Sequence, residues 1–173
     1  MLILGIDPGL NRTGYGCVER LDNSIEPALL EAGVIRLPRR TSMDERLAHL
    51  HDDLRSVIEE LQPNVLVVEK LFAHYKHVRT SILMGHARGV VLLAGRQANL
   101  SLIEVASTEV KRAITGNGHA SKRQVQLAVM QQCGLTEPPN PPDVADAIAI
   151  ALCAGRRLDD NALNDHAIHN RTK

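Results

Sequence analysis

The feature that most constrains this chain is its opening. An apolar run, Leu2-Ile3-Leu4-Gly5-Ile6, ends in Asp7-Pro8-Gly9, and a second β-prone stretch follows from Arg12 to Val18. Four apolar residues around a glycine predict a buried strand, and Pro-Gly is turn chemistry that stops it. A third β-prone stretch runs from Leu29 to Leu37. Three strands joined by short turns predict an antiparallel meander rather than a βαβ start. Asp7 is thereby expected at the end of a buried strand beside a sharp turn, where a carboxylate reaches solvent. An Asp in that place also caps turns through its own backbone, so Asp7 gains meaning only from what the remaining chain brings to it. Gly14 and Gly16 predict that another backbone or a ligand approaches the second strand closely.

Beyond the meander, helices and strands alternate. Ser42-Met43-Asp44-Glu45 is a capping-box signature. Met43, Leu47, Leu50, Leu54, Ile58 and Leu61 then recur at helical steps, predicting an amphipathic helix that Pro63 ends. Residues Asn64 to Glu69 form a continuous apolar run closed by a carboxylate, as expected of a strand buried on both faces. From Val78 to Gln97 a helix is apolar on more than one side, which places it deep in the core or against another subunit. Gly85 and Gly89 give that helix a small-residue face. A fifth strand is expected over Ser101 to Val105, then a short helix from Ser107 or Thr108 through Ile114 and a glycine loop over Gly116 to His119. Ser121 and Gln124 form a second capping box, opening a helix to about Cys133. Prolines between 138 and 142 make an extended connector before a last helix, from Asp143 to about Leu158. The 173 residues thus predict one α/β domain over 1–158 and a polar, frayed tail over 159–173.

Three scattered cysteines offer neither a disulfide framework nor a zinc site. The apolar runs are too short to span a bilayer and no secretory signal opens the chain, so a cytoplasmic protein without a membrane partner is expected. Net charge is zero, but unevenly spread: residues 70–130 carry 9 Lys/Arg against 2 Asp/Glu, whereas residues 1–69 carry 7 against 12. A basic surface around an acidic centre points to a polyanionic partner.

The acids carry the chemistry. Asp7 and Glu69 close two strands, and Asp143 and Asp146, three apart, share one helix face. Acids in a first helical turn are ordinary, but a carboxylate closing an apolar strand needs a partner or a solvent cleft. Four carboxylates meeting at one point would repel unless cations bind there. Oxygen-only ligands suit Mg²⁺ or Mn²⁺, and two such ions about 4 Å apart would flank a scissile phosphate. Spacing alone leaves open whether the four converge.

Read in order, Gly-Ile-Asp7-Pro-Gly with Thr13-Gly14-Tyr15-Gly16, Glu69-Lys70-Leu71-Phe72, Gly85-His-Ala87-Arg88-Gly89, Val110-Lys111, Gly116-x-Gly118-x-x-x-Lys122 and Asp143-x-x-Asp146-Ala147 resemble the RuvC family of Holliday junction endodeoxyribonucleases over roughly residues 2–155. The resemblance implies a ribonuclease H-like fold: a five-stranded mixed sheet, its first three strands antiparallel, flanked by helices. It implies that Asp7, Glu69, Asp143 and Asp146 bind metal and catalyse, with two Mg²⁺ per subunit and Mn²⁺ able to substitute. It further implies a homodimer that cuts two opposed strands of a four-way DNA junction, in cooperation with the RuvA–RuvB branch-migration complex. Lys111 and Lys122 match the family's functional lysines, Lys122 within the catalytic set.

Phe72 and Tyr75 are two of only three aromatic residues. Phe72 is either core filler or a platform that stacks on a base of an opened junction, and the resemblance favours stacking. Arg79 and His119 complete the expected DNA contacts, with Arg12, Lys70, Lys76, Arg88, Arg112 and Arg123 as further phosphate candidates. Two rival readings remain: an actin-like or sugar-kinase ATPase, for which 173 residues leave no second lobe, and a junction-binding module that cuts nothing.

Overall fold

A computed structural model of the chain describes residues 1–21, 24, 26–71 and 78–158. The meander forms as β1 (Leu2–Asp7), β2 (Arg12–Glu19) and β3 (Ala28–Arg36). Its first turn is locked from inside. The wholly buried Thr13 donates its hydroxyl to the Gly9 carbonyl at 2.9 Å and accepts the Gly9 N–H at 3.1 Å. α1 (Met43–Leu61) begins in the expected reciprocal capping box of Ser42 and Glu45, and ends where Gln62 turns left-handed ahead of Pro63.

β4 (Val65–Glu69) lies parallel to β1, with Ile6 opposite Val68. After α2 (Val78–Gln97), β5 (Ser101–Val105) adds in parallel to β4. The sheet order β3-β2-β1-β4-β5 puts β1 in the centre with β4 beside it, and the sheet is five-stranded and mixed with its first three strands antiparallel, as expected. α3 (Ser107–Thr115), α4 (Lys122–Gln132) and α5 (Pro142–Arg157) complete the chain. Alternating side chains of the central strands feed two cores. Ile3, Val65 and Val67 pack under α3, α4 and α5, whereas Leu4, Ile6 and Leu66 pack under α1 and α2.

The backbone predicted to approach Gly14 and Gly16 is that of α5. A Cβ at Gly14 would overlap the Asp143 carbonyl, and one at Gly16 would lie 2.9 Å from Ile148 Cα. Gly5 extends the seam, because a Cβ there would strike the Ala147 carbonyl and the Ala151 methyl. Small residues on both surfaces let helix and sheet backbones nearly touch, and α5 is buried without interruption from Ala147 to Gly155. Each fully buried Ile or Leu on it contributes about 1.5–3 kcal/mol. Arg156 anchors the far end by donating to Glu26 at 2.7 Å, the Ala113 carbonyl at 2.6 Å and Gln132 at 2.9 Å.

α2 differs from the buried-all-round alternative. Ala87, Val91 and Ala94 are buried, but Ile82 and Leu93 are 56% and 51% exposed, so the helix lies on the surface. Its glycine pair does not pack closely within the chain. A Cβ at Gly89 would meet nothing within 4 Å, whereas one at Gly95 would press on Leu66. The tail 159–173 lies outside the described residues.

Candidate active site

Parallel pairing of β1 with β4 carries Asp7 and Glu69 to the same edge of the sheet. The glycine seam then brings the first turn of α5 over that edge, because Gly14 lies directly beneath Asp143. A cleft of about 210 Å³ results, lined by Asp7, Glu69, Asp146, Lys111, Lys122 and Ser107 with the apolar Met84, Val110 and Val125. A roomier hollow of about 500 Å³ is lined by His51, Arg55, Glu59 and Gln97. It opens near Pro63 and Leu100, at the opposite ends of β4 and β5, and holds none of the four acids.

Electrostatics mark the acidic cleft as a place of concentrated negative charge. Burial, reinforced by the Asp146, Glu69 and Asp143 carboxylates, pushes Asp7 from its ordinary 3.8 up to about 7 despite the opposing pull of Lys122. Burial and Asp146 also raise Glu69, opposed by a hydrogen bond from Ser107 and by Lys111 and Lys122. Lys122 is raised by Asp146, whose Oδ2 lies 3.1 Å from its Nζ.

The four acids do not form a ready-made cage. Among the described residues no group of three or more His, Cys, Asp or Glu side chains is close enough to hold a metal ion. The carboxylates instead share out local donors, as like charges do without a counterion. Asp146 takes Lys122, Glu69 takes Ser107, and Asp143, whose charge still acts on Asp7 and Lys122, takes Arg12 at 3.2 Å. The Asp143 Oδ2 is buried without a hydrogen-bond partner, although Arg12 Nε lies close. The contact is one of charge, not of aligned hydrogen bonding. An all-oxygen donor set, an orphaned buried carboxylate oxygen and an ammonium group already seated on Asp146 fit a hard divalent cation.

The other expected residues fall into three groups. Lys111 and Lys122 line the cleft. His119 is exposed in the loop before α4. Phe72 and Tyr75 lie outside the described residues, as does the side chain of Arg79 in the first turn of α2. Two phosphate candidates are engaged internally: Arg12 by Asp143, and Arg88 by Glu104 and the Glu69 carbonyl.

A family model described as crossover junction endodeoxyribonuclease RuvC matches residues 3–154. The chain belongs to the RuvC family. A RuvC of Rhodopirellula baltica is 46% identical over 94% of this chain and 89% of the relative, and one of Halothermothrix orenii is 43% identical over 90% and 92%. Among solved structures, RuvC of Thermus thermophilus superposes with a TM-score of 0.80 at 32% identity, covering 90% of this chain and 94% of that one. The same protein in complex with a Holliday junction substrate gives 0.79 at 33% identity, over 88% and 92%. The yeast mitochondrial resolvase Ydc2, at 17% identity and a TM-score of 0.58, shares the fold.

Several residues build this RuvC cleft through contacts that nothing near them in the chain announces, Arg88 among them although it stood as a phosphate candidate. Ser107 holds Glu69 across a gap of 38 positions. Arg46, in the first turns of α1, ties down the turn after Asp7 by donating to the Leu10 carbonyl and, at 2.8 Å, to Asn11. Arg88 braces the end of β4 from α2. Only the capping motif beside Arg46 and the strand–helix boundary at Ser107 hinted that these residues sit at element ends.

Proposed function

We propose that this chain is a divalent-metal-dependent endonuclease that resolves four-way (Holliday) DNA junctions in homologous recombination and repair, cutting two opposed strands symmetrically. Its family membership supports the substrate. The observation that carries the chemistry is the meeting of Asp7, Glu69 and Asp146 in one cleft with two lysines.

In this reading Asp7, Glu69, Asp143 and Asp146 hold two Mg²⁺ per subunit, and Mn²⁺ substitutes because it shares the preference for oxygen ligands. The chemistry these ions supply when bound is Lewis acidity at the scissile phosphate and a lowered pKa for the attacking water. The protein's own groups do the rest. Lys122 and Lys111 neutralise charge that develops on the phosphate. The apolar wall of Met84, Val110 and Val125 narrows access and strengthens these interactions by excluding solvent. In-line attack leaves a 5′ phosphate and a 3′ hydroxyl that a ligase can seal. Phe72 stacks on a base near the cut, Tyr75 and His119 contact the DNA, and Arg79 contacts a backbone phosphate.

Two cuts on a two-fold substrate call for two sites on a two-fold dimer. Ile82, His86, Gly89 and Leu93 are exposed at helical spacing on one face of α2, and we assign that face to a second copy of the chain. Residues 1–158 act as the nuclease domain. The setting is the cytoplasm, with RuvA–RuvB presenting the junction.

The test is incubation of a synthetic four-way junction with Mg²⁺ and then with EDTA. Paired nicks at symmetric positions, lost with chelator, are expected. Asp7→Asn is expected to bind the junction without cutting it. A variant that cuts like wild type would mean that the cleft around Asp7 does not do the cutting, and junction binding with no paired nicks under any divalent ion would leave the non-catalytic binding module instead.

A further inference from the structure

Arg12 opens β2 directly opposite Arg36 on β3. Like charges face to face across antiparallel strands destabilise a sheet unless negative charge lies beside them. On one side that charge is Asp143, 3.2 Å from the Arg12 guanidinium. On the other side the edge is open: Arg36, and Arg39 and Arg40 beyond it, are exposed, and none is ion-paired with a described residue. The Arg12 side chain is 41% exposed between the two. Asp143 is also the one acid of the four absent from the cleft wall.

We propose that Arg12 is a positioning residue that latches Asp143 away from the cleft in the DNA-free protein and releases it when a backbone phosphate draws the guanidinium toward the Arg36 edge. The proposal rests on the metal-nuclease reading above and adds an order of events to it. A guanidinium suits the exchange, because it never loses its charge, is held by charge at Asp143, and can form a bidentate pair with a phosphate. While Arg12 holds Asp143, a divalent cation must compete for that carboxylate. Once phosphate holds Arg12, the fourth ligand is free. By linkage the effect is reciprocal, so DNA tightens the cation and the cation tightens DNA. The cation site is completed when DNA is bound.

The experiment measures Mn²⁺ binding to the full chain by calorimetry and by loss of the free-ion EPR signal, with and without a linear DNA duplex. Without DNA, Arg12→Gln is expected to bind Mn²⁺ about fivefold or more tighter than wild type. The duplex is expected to tighten Mn²⁺ for both proteins, and by a larger factor for wild type than for Arg12→Gln. In an Asp143→Asn background, Arg12→Gln is expected to have no effect, because the carboxylate it frees is gone. A gain of the same size in that background would mean only that a positive charge was removed, and would overturn the latch. So would a variant that binds no tighter than wild type, or a duplex effect equal in both proteins. Arg12→Lys, which keeps the charge but carries it on a shorter stem farther from Asp143, guards against a Gln variant that fails to fold. It is expected to bind Mn²⁺ tighter than wild type by a smaller factor, and affinity at or below wild type overturns the proposal. If wild type binds no Mn²⁺ with or without duplex, the metal reading itself fails; if wild type binds and the Arg12 variants do not differ from it, only the latch does.

Discussion

α5 and α2 are both long apolar helices, of 16 and 20 residues, yet they are buried in different ways. α5 meets glycines on β1 and β2, and its own alanines let the backbones close until no side chain fits between them. α2 buries a stripe of Ala87, Val91 and Ala94 and leaves Ile82 and Leu93 outside. The lesson is that position and association draw on different surfaces. Two carboxylates held relative to two strand ends need rigid support, which backbone contact gives better than flexible side chains. The uncovered face of α2 is the one assigned above, as a proposal, to a second copy of the chain.

The contrast is tested hardest where the α5 seam ends, at the acids. Asp7 keeps its proton up to about pH 7 in the fold, against an ordinary 3.8, so the folded protein binds more protons than the unfolded chain in that window. Stability in EDTA therefore falls as pH rises from about 4 to 7, and Asp7→Asn is expected to recover on the order of 4 kcal/mol above that range while abolishing cleavage. Denaturant unfolding at pH 5 and pH 8 measures this; a gap between variant and wild type that fails to widen with pH would contradict the buried, crowded carboxylate. Next in size comes Gly5→Ala, which forces a methyl group into the seam and is expected to cost about 1–3 kcal/mol. The same substitution at Gly89 meets open space and is expected to stabilise the monomer by about 0.5–1 kcal/mol. Equal signs at the two positions in thermal unfolding would erase the distinction between the helices. Smallest for the fold is Leu93→Glu, expected to change monomer stability by less than about 0.5 kcal/mol. Sedimentation tests the proposed dimer, which this substitution is expected to abolish.

Much of this could be read before any coordinates, and the reasons are local. Ser42 with Glu45 and Ser121 with Gln124 announce helix starts because the capping partners are three residues apart. Strand ends announced Asp7 and Glu69, and helical spacing put Asp143 and Asp146 on one face. Gly14 and Gly16 declared that something comes close without saying what, since the approaching backbone is more than a hundred residues away. Long-range partnerships were hidden for the same reason. Arg12 looked like a phosphate contact, and nothing near it in the chain points to Asp143. The exposed face of α2 was ambiguous because apolar periodicity reports that a surface avoids water and not what covers it.

Lys122 is the first residue of α4, and its ammonium sits 3.1 Å from Asp146. The acids therefore never stand wholly without compensation, even in chelator. A stripped preparation becomes a convenient starting point: it can be mixed with its junction in a silent state and set running by one addition of salt, giving a sharp time zero from which the first and second incisions are counted separately.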